Sequence, residues 1–176
     1  MSTIASLRAA IRSGLQRQNR WRVNISFPTY AGSNSDGLQA SLLARTTNTP
    51  SATMGSIDLT WGGRNLPIPG DRTYEEFTVT FIAVNDFNVH TAFERWSEAM
   101  NGSESNSGLT NLDEIFSDVT LDLMDVNDQI TKTFILTDAW PQVVGQMQLD
   151  AGSMDTYAEF EVTFRYVQYS QPNITR

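Results

Sequence analysis

The chain has 176 residues, a formal net charge of −8, no cysteine and one histidine, His90. That length predicts one domain with room for a sizeable core, and the absence of Cys and the lone His exclude disulfides, thiolate metal sites and chemistry that needs several imidazoles. The charge is uneven: Arg8, Arg12, Arg17, Arg20 and Arg22 give residues 1–22 a charge of +5 with no acid, so the remainder carries −13. An acidic body lacks the sign needed to grip phosphates, whereas a basic arm on an acidic body predicts attraction between copies.

In chain order, Ile4, Leu7, Ile11 and Leu15 have helical spacing, with Ser2 or Thr3 available as a cap. Gly14 weakens that helix by about 1 kcal/mol relative to Ala. Residues 1–20 are therefore read as a basic helical arm. Trp21, Val23, Ile25 and Phe27 alternate with polar residues and predict the first strand of a domain spanning residues 21–169. Residues 28–37 read as a polar loop, 38–44 as a short strand and 46–55 as an extended loop. Residues 57–61 and 64–68 flank Gly62-Gly63, a two-residue hairpin turn, and Pro67 and Pro69 confine the second arm to an edge.

Pro69-Gly70-Asp71 has turn chemistry. In residues 74–85, Phe77, Val79 and Phe81 alternate with Thr78, Thr80 and Ile82, the period of a half-buried strand. The period then changes: Val89, Phe93, Trp96 and Met100 line one side of a helix, with Asp86 as the expected N-cap and Asn101-Gly102 as the stop. Residues 102–108 are expected to be mobile, and 109–116 to form a helical turn. Residues 119–136 read as a hairpin turning at Asn127-Asp128. Trp140-Pro141 is expected to break the run, and 143–149 to connect into a short strand. The strand carrying Phe160, Val162, Phe164 and Tyr166 is expected to be the longest, with a frayed tail over residues 170–176. Seven or eight strands and one flanking helix predict a mainly β fold, a sandwich or small barrel.

No catalytic constellation is present: no phosphate-binding glycine loop, no nucleophile elbow and no metal-ligand spacing. Neither an enzyme nor a bound cofactor or metal is expected. Glu75 and Glu76 are adjacent on a strand and point to opposite faces, and Asp71 with Arg72 suits a turn or an interface. No apolar run is long enough to span a membrane, and the first residues lack a signal-peptide core, which predicts a soluble chain made in the cytosol. Asp122 and Asp125 on one hairpin, and Glu159 and Glu161 on the last strand, could gather acidic charge on one surface, although a solvated face accounts for them equally. Long strands with two-sided character leave open edges unless they pair with a copy.

Pro69-Gly70-Asp71-Arg72-Thr73-Tyr74 followed by Phe77-Thr78-Val79 resembles a motif of the tail tube proteins of contractile-tailed bacteriophages. Trp140-Pro141, Val144-Gly145, Leu149-Asp150 and Phe160-Glu161-Val162-Thr163 supply a second match, and the resemblance covers residues 21–166. It implies a sandwich or split barrel that forms homo-hexameric rings stacked into the virion's inner tail tube, assembled in the host cytoplasm. Its implied partners are the sheath, a baseplate tube initiator and the tape-measure protein, with double-stranded DNA passing through unbound. Asp122, Asp125, Glu159 and Glu161 are the expected lumen acids. Arg8, Arg12, Arg17, Asp71 and Arg72 are expected at contacts between subunits or rings, along with the loop over residues 46–55. The alternatives are a tube subunit of a type VI secretion or other contractile injection system, a baseplate relative, and, in a different class, a monomeric small-molecule-binding barrel.

Overall fold

The computed structural model describes residues 3–12 and 14–172. Among the described residues nine strands and four helices follow one another, more strands than the periodicity predicts. The order is α1 (Ile4–Ala10), β1 (Trp21–Ile25), α2 (Asn34–Leu43), β2 (Ala44–Thr47), β3 (Ala52–Trp61), β4 (Arg64–Tyr74), β5 (Phe77–Ile82), α3 (Asn88–Met100), α4 (Leu112–Ile115), β6 (Ser117–Met124), β7 (Ile130–Val144), β8 (Glu159–Arg165) and β9 (Gln168–Ser170). Seven strands form one antiparallel sheet in the order β1-β6-β7-β8-β5-β2, with β9 added to β7, while β3 and β4 pair only with each other.

The longest strand is β7, not β8, and Trp140-Pro141 does not break it. Residues 135–137 of β7 pair with β9, and its early part with β6. From Trp140 onward it pairs with β8. Between those halves Asp138 takes a left-handed φ of 54° where the β6 register skips a residue, a bulge that bends the strand. Pro141 is tolerated because the β8 register skips immediately after it, so its missing N–H falls at an irregularity rather than in a continuous ladder.

The inward faces of both halves form one core. Val23, Ile25, Val119, Leu121 and Leu136 meet Phe77, Val79, Phe81, Val162 and Phe164 there. The alternation read from sequence is thus the core face of each strand. Helix α3 lays Val89, Phe93 and Trp96 on that core. Phe93 packs edge-on to Phe164 with ring centroids 5.8 Å apart, and the Trp96 indole donates to the Ile115 carbonyl at 2.8 Å. The helix begins one residue later than expected. Phe87, with φ 50°, occupies the cap position, and the Asp86 carboxylate instead accepts from the Asn88 amide at 3.4 Å.

Residues 34–43, split in the sequence reading between a loop and a strand, are helical. The Ser33 amide and hydroxyl both donate to the Asp36 carboxylate, at 2.7 and 2.8 Å. These bonds hold that carboxyl below its usual range, as expected for charge-assisted closure of a helix start. Gly37 lets α2 approach β1: a Cβ there would stand 2.6 Å from the Ile25 carbonyl oxygen. The expected loop over 46–55 shrinks to residues 48–51 between β2 and β3. Residues 102–108 are tied down by bonds from the Gly102 amide to Ser107 and from the Leu109 amide to Ala99. The short strand expected before residue 150 is absent, since 145–158 has no regular structure. Ser170 lies in β9, and the rest of the expected frayed tail beyond residue 172 lies outside the described residues.

Candidate assembly interface

The β3–β4 hairpin stands off the main sheet. Gly62 and Gly63 turn it with φ of 59° and 76°, the positive pair that a type I′ turn requires. The register sets Ile57 opposite Ile68, Leu59 opposite Leu66 and Trp61 opposite Arg64. Directly paired residues share a face, so Ile57, Leu59, Trp61, Leu66 and Ile68 form one apolar face. Ser56, Asp58, Thr60, Asn65, Pro67 and Pro69 form the other. All five apolar residues are exposed, Trp61 to 85%. A lone two-stranded hairpin is marginal in water, and an uncovered apolar face of this extent marks an interaction site. The sequence reading identified the hairpin but assigned no contact to these residues. The signal was there, in Ile57-Asp58-Leu59-Thr60-Trp61 alternation with nothing else in the chain left to cover it.

Pro69-Gly70-Asp71 is not a turn. It lies within β4 at a bulge, because Met54 pairs with Arg72 while Ser56 pairs with Pro69, leaving one extra residue on β4. The glycines permit the close approach of the two strands. A Cβ on Gly55 would be 3.2 Å from the Asp71 carbonyl oxygen, and one on Gly70 3.3 Å from Gly55. Asp71 and Arg72 are exposed, and neither forms an ion pair among the described residues.

The hairpin joins the body through an aromatic clasp. Tyr74, at the end of β4, lies 5.9 Å from Tyr166 and 5.5 Å from Tyr169 between ring centroids. Glu76, just beyond, pairs with Arg165 at 3.6 Å. The Tyr166 hydroxyl is buried without a hydrogen-bond partner. Burial, with the neighbouring Tyr169, Glu75 and Tyr74, pushes its pKa from 10.0 up to about 12. Because the folded-state value is raised, the contribution to stability is complete below pH 10 and lost as pH rises toward 12. Titration followed by phenolate absorbance should show a late step near pH 12 that Tyr166→Phe abolishes, and the alkaline decline in stability should be shallower in that variant.

The expected arm and lumen residues fall in separate places. Helix α1 buries none of its residues, and Arg8 and Arg12 are exposed on or just after it. Arg17 lines an open groove of about 470 Å³ with Trp21, Leu121, Leu123 and Thr46, where the free edges β1 and β2 face each other. Asp122 lies on the polar face of β6, opposite Arg22, and accepts from Asn24 at 3.0 Å and from Thr133 at 2.7 Å. Asp125 shapes the β6–β7 turn, accepting from the Asn127 and Gln129 amides at 2.7 and 3.0 Å, which lower its pKa. Glu159 pairs with Arg45, and Glu161 is exposed on β8. Asp122 stands opposite Thr133 of β7, while the Glu161 carbonyl accepts from the Gly145 amide just beyond the end of β7.

The described residues hold no group of three or more metal-ligating side chains, and no described helix is long and apolar enough to cross a membrane.

Residues 16–172 match a family model described as phage tail tube protein. A tail tube protein of Serratia phage KSP90 is 48% identical over 170 residues, covering 96% of each chain. Tail tube protein gp19 of Enterobacteria phage T4 is 28% identical over 157 residues, 88% of this chain and 91% of that one. Among solved structures, a chain of the anti-feeding prophage baseplate superposes with a TM-score of 0.65 at 18% identity, covering 97% of both chains. A chain of an extracellular contractile injection system sheath–tube complex does so at 0.60 and 17% identity, over 98% of this chain and 100% of that one. At such identities these two likenesses are of fold. A family match over most of the length and a relative identical at nearly half its positions lead to one conclusion: the chain belongs to the phage tail tube protein family.

Proposed function

We propose that copies of this chain close into hexameric rings that stack as the inner tube of a contractile phage tail. The tube sits within a sheath, starts from a baseplate initiator, holds the tape-measure protein during assembly in the host cytoplasm and later conducts double-stranded DNA without binding it. The observation that carries this reading is the uncovered apolar face of the β3–β4 hairpin. Free edges at β1 and β2 add a second means of joining, since an open edge is satisfied by a neighbour's strand. Heterologous contacts of this kind close into rings when the rotation allows. Arg8, Arg12, Arg17, Asp71 and Arg72 are assigned to contacts between copies, the last two because they are exposed on the hairpin without an ion-pair partner among the described residues.

Of the four acids expected in the lumen, we assign Asp122 and Asp125 to it, since Glu159 is already paired with Arg45. The two aspartates share the β6 end of the sheet with Asn24, Thr120 and Thr133, polar groups suited to a wall that repels phosphate and offers DNA no grip. A small-molecule-binding barrel finds no support, because Trp96, Phe81, Phe93 and Phe164 fill the interior. Electron microscopy of the purified chain over a concentration series, with and without tube fragments as seeds, tests the proposal. Six-fold rings or hollow tubes are the expected result. Persistent monomer at high concentration, even when seeded, would overturn it.

A further inference from the structure

Helix α1 presents an apolar stripe to nothing. Ile4 is 73% exposed, Leu7 59% and Ile11 39%, and no residue of the helix is buried. Arg8 and Arg12 flank the stripe and form no ion pair among the described residues. The base of the arm is anchored at the β6–β7 hairpin, where the Gln16 amide donates to the carbonyls of Arg20 and Met124 at 3.2 and 3.0 Å. Beyond that anchor, none of the helix's residues is buried against the described residues.

The opposite chemistry lies between β7 and β8. Residues 145–161 contain Asp150, Asp155, Glu159 and Glu161 and no Lys or Arg. Asp150, Glu159 and Glu161, with Leu149 and Tyr157, line an open groove of about 820 Å³ beside β8. Arg45, from β2, pairs with Glu159 and lies 5.4 Å over the Tyr157 ring. Asp150, Asp155 and Glu161 have no cation partner among the described residues. The segment also carries Leu149 at 83% exposure, Met154 at 84% and Tyr157 at 52%. A basic amphipathic helix and an acidic, apolar-studded groove, both uncovered in one chain, are complementary in charge and in hydrophobicity.

We infer that α1 of one copy docks on the 145–161 segment of a second copy. Ile4, Leu7 and Ile11 cover Leu149 and Tyr157, and Arg8 and Arg12 face Asp150 and Glu161. This rests on the tube reading and names the partner surface of the arm within it.

The natural chain has no cysteine, so two exposed positions can be labelled cleanly. Assemblies grown from an equal mixture of Leu7→Cys and Leu149→Cys chains are exposed to an oxidant or to a short bismaleimide. The expected product is a covalent dimer that forms only when both variants are present, and a chain carrying both changes gives a multimer ladder. Arg8→Glu with Arg12→Glu should lower assembly yield at least tenfold, and Asp150→Arg with Glu161→Arg in the same chain should restore it. Tubes that form normally but give no mixed dimer, or an internally bridged monomer, overturn this docking and leave the tube reading intact. Failure of the wild-type chain to assemble at all overturns the tube reading itself.

Discussion

Leu59→Glu combined with Leu66→Glu should abolish tube formation while leaving a folded monomer. The two residues are directly paired across β3 and β4 and are 52% and 58% exposed in the single chain. Fully burying a leucine contributes about 1.5–3 kcal/mol. Each is already about half covered in the single chain, so losing both from each contact weakens it by about 1.5–3 kcal/mol, roughly tenfold to 100-fold in association at 1.4 kcal/mol per tenfold. Two carboxylates forced into that face add a further desolvation cost. The monomer should be little affected, because neither side chain belongs to the core. Sizing chromatography and electron microscopy would read the loss of assembly, and circular dichroism the retained fold. Thr60→Glu with Asn65→Glu, on the opposite face of the same hairpin, is the control and should assemble far better. If both pairs behaved alike, charge on the hairpin would matter and its apolar face would not.

Trp96→Ala should destabilise the subunit by about 3–5 kcal/mol, the range for deleting a buried tryptophan. The ring is completely buried, packs edge-on to Phe27 at 5.9 Å, and ties α3 to the end of α4 through the Ile115 carbonyl. Against a total stability of about 5–15 kcal/mol for a domain, that is a large share, and about 2–4 °C per kcal/mol puts the fall in Tm at about 6–20 °C. Urea unfolding should show a lower midpoint at unchanged slope. Trp96→Phe keeps most of the packing but leaves the Ile115 carbonyl without its donor, and should cost about 1–3 kcal/mol. A Trp96→Phe variant as unstable as Trp96→Ala would mean that the hydrogen bond, and not the ring, anchors the helix.

Several elements were legible because their cause is local. Phe77-Val79-Phe81 and Val119-Leu121 alternate with polar neighbours, and each set proves to be the core face of its strand. Val89, Phe93 and Trp96 repeat at helical spacing and prove to be the buried side of α3. Gly62-Gly63 turned where expected, since only residues tolerant of positive φ suit that turn. The capping of α2 was also written locally, in Ser33-x-x-Asp36, but the low hydrophobic contrast of residues 34–43 hid the helix behind a strand-like run. Two proline stretches misled for the opposite reason. Pro69 and Pro141 suggest breaks, yet each lies beside a register shift that absorbs its missing donor. A bulge is a relation between two strands, so neither strand announces it alone.

The sequence by itself determined the class of fold, the polarity of each strand face and the opposite charges of arm and body. These follow from side-chain period and composition, which need no partner to be read. Only the tertiary structure decided that the hairpin stands clear of the sheet with Ile57, Leu59, Trp61, Leu66 and Ile68 uncovered, and that Asp122 stands opposite Thr133 while Glu159 is taken up by Arg45 of β2. Both depend on the bend of β7 at Asp138 and on cross-strand register. Those are set by which strands find each other across long stretches of chain, and a residue's own neighbours in sequence do not encode that.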